Sequence, residues 1–407
     1  MAGNDSNRNR SLKDVIRNFT PAWFAANMGT GSISLLFYAF PYGYRSQPMI
    51  IFTLIFFFTN LTLFTVFCLL TIARYIMFPD VWGLMIRHPA QSMFTGTFPM
   101  GAATLLDVCV GLISARYRFG GKPFLYTMWG LWWLDVVVSV LCTWGMLHVM
   151  HTAQKHSLEN MTAVWLLPVV TLIVASSAGG VFSPVLNEYN PSLALLTQTV
   201  SLFIVTVGLT LALMLLTIYL LRLILYGLPE KNNVLTVFLP LGPTGQAGYS
   251  ILLAGAAFKE LVPLQYGGSA FLKDPSTGST INVICVCIAF VLWALCSMWM
   301  IFALLAMQHE LRRNRLVFKV NFWGLIFPNG VYANLTLALG STLDSPFFPT
   351  LLLWIFVAVK TVKVVYDRSI FEAPCLQELD LGQGPLCAEA QKKQNEKDVS
   401  VDVIPAN

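Results

Sequence analysis

The sequence predicts an all-α polytopic membrane protein: ten transmembrane helices form five hairpins, with five kinked inner helices around a central pore. The first observation behind this fold class is composition, since 56% of the 407 residues are hydrophobic and only 11% are charged. Soluble domains carry about 25% charged residues. A soluble fold could not bury so much apolar surface, which argues against a cytosolic enzyme, a nucleic-acid-binding protein and a secreted disulfide scaffold.

The second observation is a series of ten apolar segments, each long enough to cross a bilayer at about 20 residues per helix. They predict a cytoplasmic N-terminal tail at 1–18, a ten-helix transmembrane domain at 19–366 and a cytoplasmic, largely disordered C-terminal tail at 367–407. The ten segments are 19–40, 49–73, 95–115, 124–150, 162–183, 192–226, 233–258, 279–308, 321–341 and 347–366.

The third observation is an alternation of glycine and proline. The odd-numbered segments hold 20 Gly and Pro residues, and the even-numbered ones hold four. Interrupted backbone frees polar groups, which in a membrane must be buried or line a water-filled cavity. We therefore expect the odd segments to form a pore-lining inner ring, although glycine could also serve close packing without a pore. Three odd segments share a pattern: Phe98-Pro99-Met100-Gly101, Leu239-Pro240-Leu241-Gly242 and Phe327-Pro328-Asn329-Gly330.

The distribution of basic residues predicts the orientation of the chain. With the N-terminus inside, 16 Lys and Arg residues face the cytoplasm and six face outward. Because basic residues concentrate on the cytoplasmic side, both termini are predicted to be cytoplasmic. Arg116, Arg118 and Lys122 oppose this assignment, since they would lie together in an outer loop.

Hydroxyl and amide side chains are concentrated in the interrupted segments, where no Lys or Arg lies at mid-membrane depth. Uncharged donors could partly replace the hydration shell of an anion and still release it, as conduction requires. Back-bonding of Ser and Thr within a helix is the alternative role. The ninth segment offers two polar faces, and the sequence does not choose between them. The predicted pathway residues are Asn27, Thr30, Ser34, Thr104, Ser176, Ser177, Gln246, Asn329 and Asn334.

Two acids, Asp107 and Asp135, lie within apolar segments. An acid at membrane depth is a functional candidate by default. Asp107 could accept a proton near the pathway, but an ionised Asp would repel an anion. Asp135 lies on an uninterrupted helix, which favours a structural hydrogen bond.

Other chemistries have little support in the sequence. No nucleotide-binding P-loop occurs, and no nucleophile–base arrangement indicates catalysis. Cys285 and Cys287 lack a second pair of ligands, and His148, His151 and His156 lie at a helix end without an acidic partner. We therefore expect no catalytic residues, no metal, no cofactor and no nucleic-acid partner.

Several motifs resemble the tellurite-resistance/dicarboxylate transporter family, and most closely its fungal sulfite efflux pumps. The resemblance extends over segments one to nine. The motifs are Trp23-Phe24, Met28-Gly29-Thr30-Gly31, Phe40-Pro41-Tyr42, Phe98-Pro99-Met100-Gly101, Val174-Ala175-Ser176-Ser177, Leu241-Gly242-Pro243-Thr244-Gly245-Gln246, Phe322-Trp323-Gly324 and Phe327-Pro328-Asn329.

The resemblance implies a plasma-membrane anion transporter that forms homotrimers, exports sulfite or bisulfite and confers sulfite tolerance. It also implies that an aromatic ring on the ninth helix plugs the pore, and Phe327 is the matching residue here. Asn334 and the Phe-Pro-Asn motif also resemble malate permeases. A malate or dicarboxylate permease and a gated chloride or nitrate channel therefore remain alternatives.

Overall fold

The computed structural model describes residues 11–40, 46–229, 231–264, 267–313 and 320–344, and these are almost entirely helical. The predicted tenth segment and the C-terminal tail lie outside the described residues. The α-helices are α1 Leu12–Asn18, α2 Phe24–Ala39, α3 Gln47–Met77, α4 Asp80–Arg87, α5 Thr97–Val108, α6 Gly121–Thr152, α7 Leu167–Asn187, α8 Pro191–Tyr226, α9 Leu241–Leu261, α10 Ala270–Lys273, α11 Pro275–Arg313 and α12 Ile326–Thr342.

Six helical stretches in the described part of the chain are long and apolar enough to cross a membrane, by length and composition. An all-helical, multi-pass membrane protein is therefore confirmed. The short helix α1 lies inside the stretch predicted as a polar tail. It begins there because Ser11 and Asp14 form a capping box, in which each side chain accepts a hydrogen bond from the other residue's backbone.

Five helices form a closed inner ring. In cyclic order α2 packs on α5, α5 on α7, α7 on α9, α9 on α12, and α12 returns to α2. The longer helices α3, α6, α8 and α11 pack on the outside of this ring. Burial separates the two classes: 72% of the most apolar 18-residue stretch around α5 and 89% of that in the α7 region are buried, against 28–33% in the four outer helices. The inner helices are those whose sequences carry the glycines and prolines.

Each inner helix is preceded by a 3-10 turn, and the outer helices begin without one in the described part of the chain. Such tighter turns are frequent at the N-termini of α-helices. The five turns are Pro21–Trp23, Ser92–Gly96, Ala163–Leu166, Lys231–Phe238 and Val320–Leu325.

Five prolines of the inner-ring segments lie where a helix tolerates them. Pro99, Pro168, Pro243 and Pro328 are the second or third residues of their α-helices, and Pro21 opens the 3-10 turn before α2. The first backbone N–H groups of a helix have no intrahelical partner, so proline removes no hydrogen bond there. These five prolines therefore mark helix starts, whereas the sequence had suggested kinks in the middle of the helices. Pro184 differs, since it lies inside α7, in its last turn.

Glycine allows the ring to close at the contact between α2 and α5. A Cβ atom on Gly31 would lie 2.5 Å from Cβ of Thr104 and 2.6 Å from Nδ2 of Asn60. Both distances are far shorter than van der Waals contact, so only glycine fits without movement of a helix. Small residues at helix contacts are the usual means of close packing within a membrane.

Two buried arginines make similar hydrogen bonds, one in the α2–α3 pair and one in the α7–α8 pair. Arg74, near the end of α3, donates from Nε to the carbonyl of Arg17 at 3.1 Å, four residues before the turn that leads into α2. Arg222, near the end of α8, donates from Nε to the carbonyl of Glu159 at 3.1 Å, four residues before the turn that leads into α7. We call these two contacts the arginine clasps. Each joins the end of an outer helix to the start of the inner helix it packs against.

Candidate functional site

A small cavity of about 50 Å³ lies at the centre of the inner ring. All five inner helices contribute to its wall, including Ser32 from α2, Asp107 from α5, Val181 from α7, Gln246 from α9 and Phe327 from α12. A water molecule needs roughly 10–15 Å³ of such space, so the cavity can hold a few waters or a small ion. Its position makes it the candidate site on a path through the ring.

Four of the ten predicted residues line this cavity: Thr104, Gln246, Asn334 and Phe327. They come from three helices that are far apart in sequence. On α12 the cavity wall contains Phe327, Val331 and Asn334, so the structure selects one of the two faces that the sequence left open.

The other face of α12 packs against the outer helix α11. The indole Nε1 of Trp293 donates to Oγ1 of Thr336 at 2.9 Å, and the hydroxyls of Ser297 and Tyr332 share a hydrogen bond at 3.0 Å. Asn329 lies on neither the cavity wall nor this contact, because its amide donates to the carbonyl of Leu325 in the same turn at 2.6 Å.

Two predicted residues on α2 make hydrogen bonds away from the cavity wall. Thr30 donates to the carbonyl of Ala26 within its own helix at 2.8 Å, which is the back-bonding alternative. Ser34 donates to the carbonyl of Thr53 on α3 at 2.8 Å and joins the inner helix to the outer one.

Asn27 takes part in a polar network between α2, α3 and α5. Its amide donates to the carbonyl of Asn60 at 3.1 Å, and the amide of Asn60 donates to Oγ1 of Thr104 at 3.1 Å. Thr104 in turn donates to the carbonyl of Gly101 at 2.8 Å. Asn27 is fully buried in this network and does not line the cavity. Asn60 is not among the residues predicted from the sequence, although an amide in the middle of an apolar helix is a visible signal.

The serine pair on α7 supports the cavity wall from behind. Ser177 accepts a hydrogen bond from the amide of Gln246 and donates to the carbonyl of Val174 at 2.8 Å. Ser176 donates to the carbonyl of Ser201 at 2.7 Å and shares a hydrogen bond with Ser250 at 2.6 Å. Neither serine is part of the cavity wall, but Ser177 fixes the orientation of the Gln246 amide within it.

The electrostatic character of the cavity comes from uncharged groups and one acid. Among the described residues, its wall contains no Lys, Arg or His. The amide oxygen of Asn334 and the hydroxyl of Ser32 are buried without a hydrogen-bond partner within the described residues. Ser32, Tyr38 and Tyr249 are cavity residues that the sequence analysis did not single out, because helix rotation decides which polar residues face inward.

Phe327 forms part of both the cavity wall and the main hydrophobic core. Its side chain is only 4% exposed, and it lies one residue before Pro328 in the first turn of α12. The aromatic side chain of Phe327 therefore occupies space at the centre of the protein that an open path would need.

Comparison with known proteins identifies relatives along most of the chain. The family model for the voltage-dependent anion channel, SLAC1, matches residues 18–366. The sulfite efflux pump SSU1 of Arthroderma benhamiae is 34% identical over 366 residues, which cover 90% of this chain and 93% of the relative. SSU1 of Saccharomyces cerevisiae is 26% identical over 65% of this chain and 62% of the relative. The malic acid transport protein of Schizosaccharomyces pombe is 21% identical over 83% of this chain and 74% of the relative.

Proposed function

We propose, since the chain belongs to the voltage-dependent anion channel family, that it is a transporter that exports sulfite or bisulfite and so confers sulfite tolerance. The family resemblance inferred from the sequence motifs is thereby confirmed. The observation that carries the proposal is the central cavity, to which all five inner helices contribute and in whose wall the described residues include no basic side chain. Transport, and not catalysis, is the function that such a site supports.

The chemistry of the cavity suits a small anion that binds weakly. Amide and hydroxyl donors can replace part of a hydration shell, and the absence of a fixed positive charge lets the ion leave. A dicarboxylate carries two separated charges, and basic partners in the site would be expected for it. The cavity of about 50 Å³ also favours an ion of few atoms. Sulfite fits these features better than malate, which is the second candidate.

Flux measurements with the purified chain in proteoliposomes test the proposal. Radiolabelled sulfite should cross faster than malate, chloride or nitrate at equal concentrations. Liposomes without protein control for passive leak, which matters because neutral forms of sulfite cross lipid. Faster flux of malate would assign the protein to the dicarboxylate permeases, and faster flux of chloride or nitrate would assign it to gated anion channels.

We further propose ten transmembrane helices in five hairpins, a homotrimer, a plasma-membrane location and cytoplasmic termini. The closed inner ring with an outer helix packed beside each of four inner helices supports the hairpins. The excess of basic residues at one side supports the orientation.

An epitope tag at either end of the chain checks this orientation. Antibody should label neither tag in intact cells and both tags after permeabilisation. Two cytoplasmic ends require an even number of membrane crossings. Labelling of the C-terminal tag but not of the N-terminal tag before permeabilisation would mean an odd number and would overturn the ten-helix arrangement.

Gln246→Leu should lower sulfite flux by about tenfold to a hundredfold, with little loss of folded protein. The substitution removes the amide that Ser177 holds at the cavity wall, and loss of a hydrogen bond to a charged ligand corresponds to about 1.5–3 kcal/mol. Flux per folded molecule in proteoliposomes is the measurement.

The matched control is Gln198→Leu, since Gln198 is a buried glutamine on the outer helix α8 that does not line the cavity. It should retain flux per folded molecule. Equal fluxes in the two variants would assign Gln246 to helix packing.

A further inference from the structure

One cavity residue remains without a role in the proposal above. Asp107 lies one residue before the end of α5 and is 6% exposed. It lines the central cavity, and its buried oxygen Oδ1 has no hydrogen-bond partner within the described part of the chain. A short π-helix, Cys109–Ser114, begins two residues after Asp107. Such segments are frequent at functional sites.

The groups around Asp107 provide no positive charge. Asp135 on α6 is close enough to interact with it electrostatically. The other titratable side chains that face it are Cys109 in the π-helix, Tyr38 from α2 and Tyr249 from α9 across the cavity. The ion pair between Arg118 and Glu188 lies at the protein surface. Asp107 is therefore a buried acid among neutral and acidic neighbours.

We propose that Asp107, in its protonated form, is a direct hydrogen-bond donor to the transported anion. This inference rests on the proposed function, because it deepens the account of the same cavity. A neutral carboxyl presents an O–H group, and the unpartnered hydroxyl of Ser32 on α2 and the amide of Gln246 on α9 place further donors in the same wall. The anion then meets donors contributed by several of the inner helices.

The protonation state of Asp107 controls whether the anion can enter. A carboxylate in this cavity would repel a second negative charge at short range, with little water between them to screen it. A proton on Asp107 removes the repulsion and adds a donor. Flux is therefore expected at acidic pH and falls as the carboxyl loses its proton with rising pH.

Asp107→Asn tests this role, because asparagine keeps the size and the hydrogen-bond donor but cannot ionise. In proteoliposomes, wild-type sulfite flux should fall about tenfold for each pH unit once most of the carboxyl is ionised, since the protonated fraction falls by that factor. The variant should not show this fall. The ratio of variant to wild-type flux at each pH removes the titration of sulfite itself, because both proteins meet the same mixture of anions.

Two further variants control the experiment. Asp135→Asn removes the neighbouring acid, which does not line the cavity, and should retain a pH-dependent flux. Asp107→Leu has the bulk but no donor and should lose flux at every pH. An Asp107→Asn variant with the wild-type pH profile would overturn the proposal. If wild-type protein carries no sulfite at any pH, the proposed function fails first, whereas wild-type flux with unchanged profiles rejects only the role of Asp107.

Reaction with a hydrophobic carbodiimide gives a second test that needs no variant to fold. Such reagents modify protonated carboxyl groups in apolar surroundings. Peptide mass spectrometry of the wild-type protein in proteoliposomes should find Asp107 modified at acidic pH, with less modification as pH rises and when sulfite is present. Modification that neither pH nor sulfite alters would contradict the proposal.

Discussion

Phe327→Ala should raise anion leak through the protein and admit ions that the wild type excludes. The phenyl ring of Phe327 fills the centre of the inner helix bundle at the cavity wall. An aromatic ring in a narrow pore blocks ions by its bulk and by excluding water. Removing it opens the space between α12 and the other inner helices. Currents or fluxes of sulfite, chloride and nitrate, normalised to folded protein in the same membranes, are the measurement.

A structural role for Phe327 makes the opposite prediction. Truncation of a buried Phe in a core costs about 3–5 kcal/mol and would lower folded protein and flux together. Phe182→Ala is the matched control, because Phe182 is fully buried on α7 in the same core cluster but does not line the cavity. It should lose stability without added leak. If Phe327→Ala behaves like this control, the ring is not a gate.

Gly31→Ala should remove most of the folded protein. The new methyl group would lie 2.5 Å from Cβ of Thr104, an atom that cannot rotate away because it is bonded to the backbone of α5. It would also approach the Asn60 amide that bonds Thr104. Overpacking in a core typically costs about 1–3 kcal/mol, and separation of α2 from α5 breaks the polar network as well. Thermal unfolding and the yield of monodisperse protein in detergent measure the effect.

Gly242→Ala is the control for this prediction. Gly242 is also buried on an inner helix, but a Cβ atom there would have no atom within 4 Å. The variant should keep its thermal midpoint. Equal stability of the two variants would show that α2 and α5 can separate without cost, contrary to the close packing described above.

The alternation of glycine and proline made the inner and outer classes of helix predictable from the sequence. Interrupted backbone has few alternatives within a membrane, so this pattern reflects a strong physical constraint. The constraint does not determine whether a proline begins a helix or kinks it. Pro99 and Pro328 lie in first turns of helices, and only the three-dimensional path of the chain distinguishes a helix start from a kink.

The site was less predictable than the fold, because it depends on the rotation of each helix about its axis. Gln246 and Asn334 line the cavity, whereas Asn27 and Asn329 are held elsewhere by Asn60 and by the carbonyl of Leu325. All four are amides on glycine-containing helices, and the sequence offers no feature that separates them. The neighbouring helices determine which amide faces inward, and those contacts are long-range.

The arginine clasps have a consequence for the stability of the protein at acidic pH. Both pair a guanidinium with peptide carbonyls, at Arg17 for Arg74 and at Glu159 for Arg222. A guanidinium keeps its charge in proteins, and a carbonyl has no proton to gain or lose over the same range. A clasp built from Arg and a carboxylate would weaken on acidification. The arginine clasps are therefore insensitive to pH. The inner and outer helices can stay in contact under the acidic conditions in which a protonated Asp107 would let the anion pass.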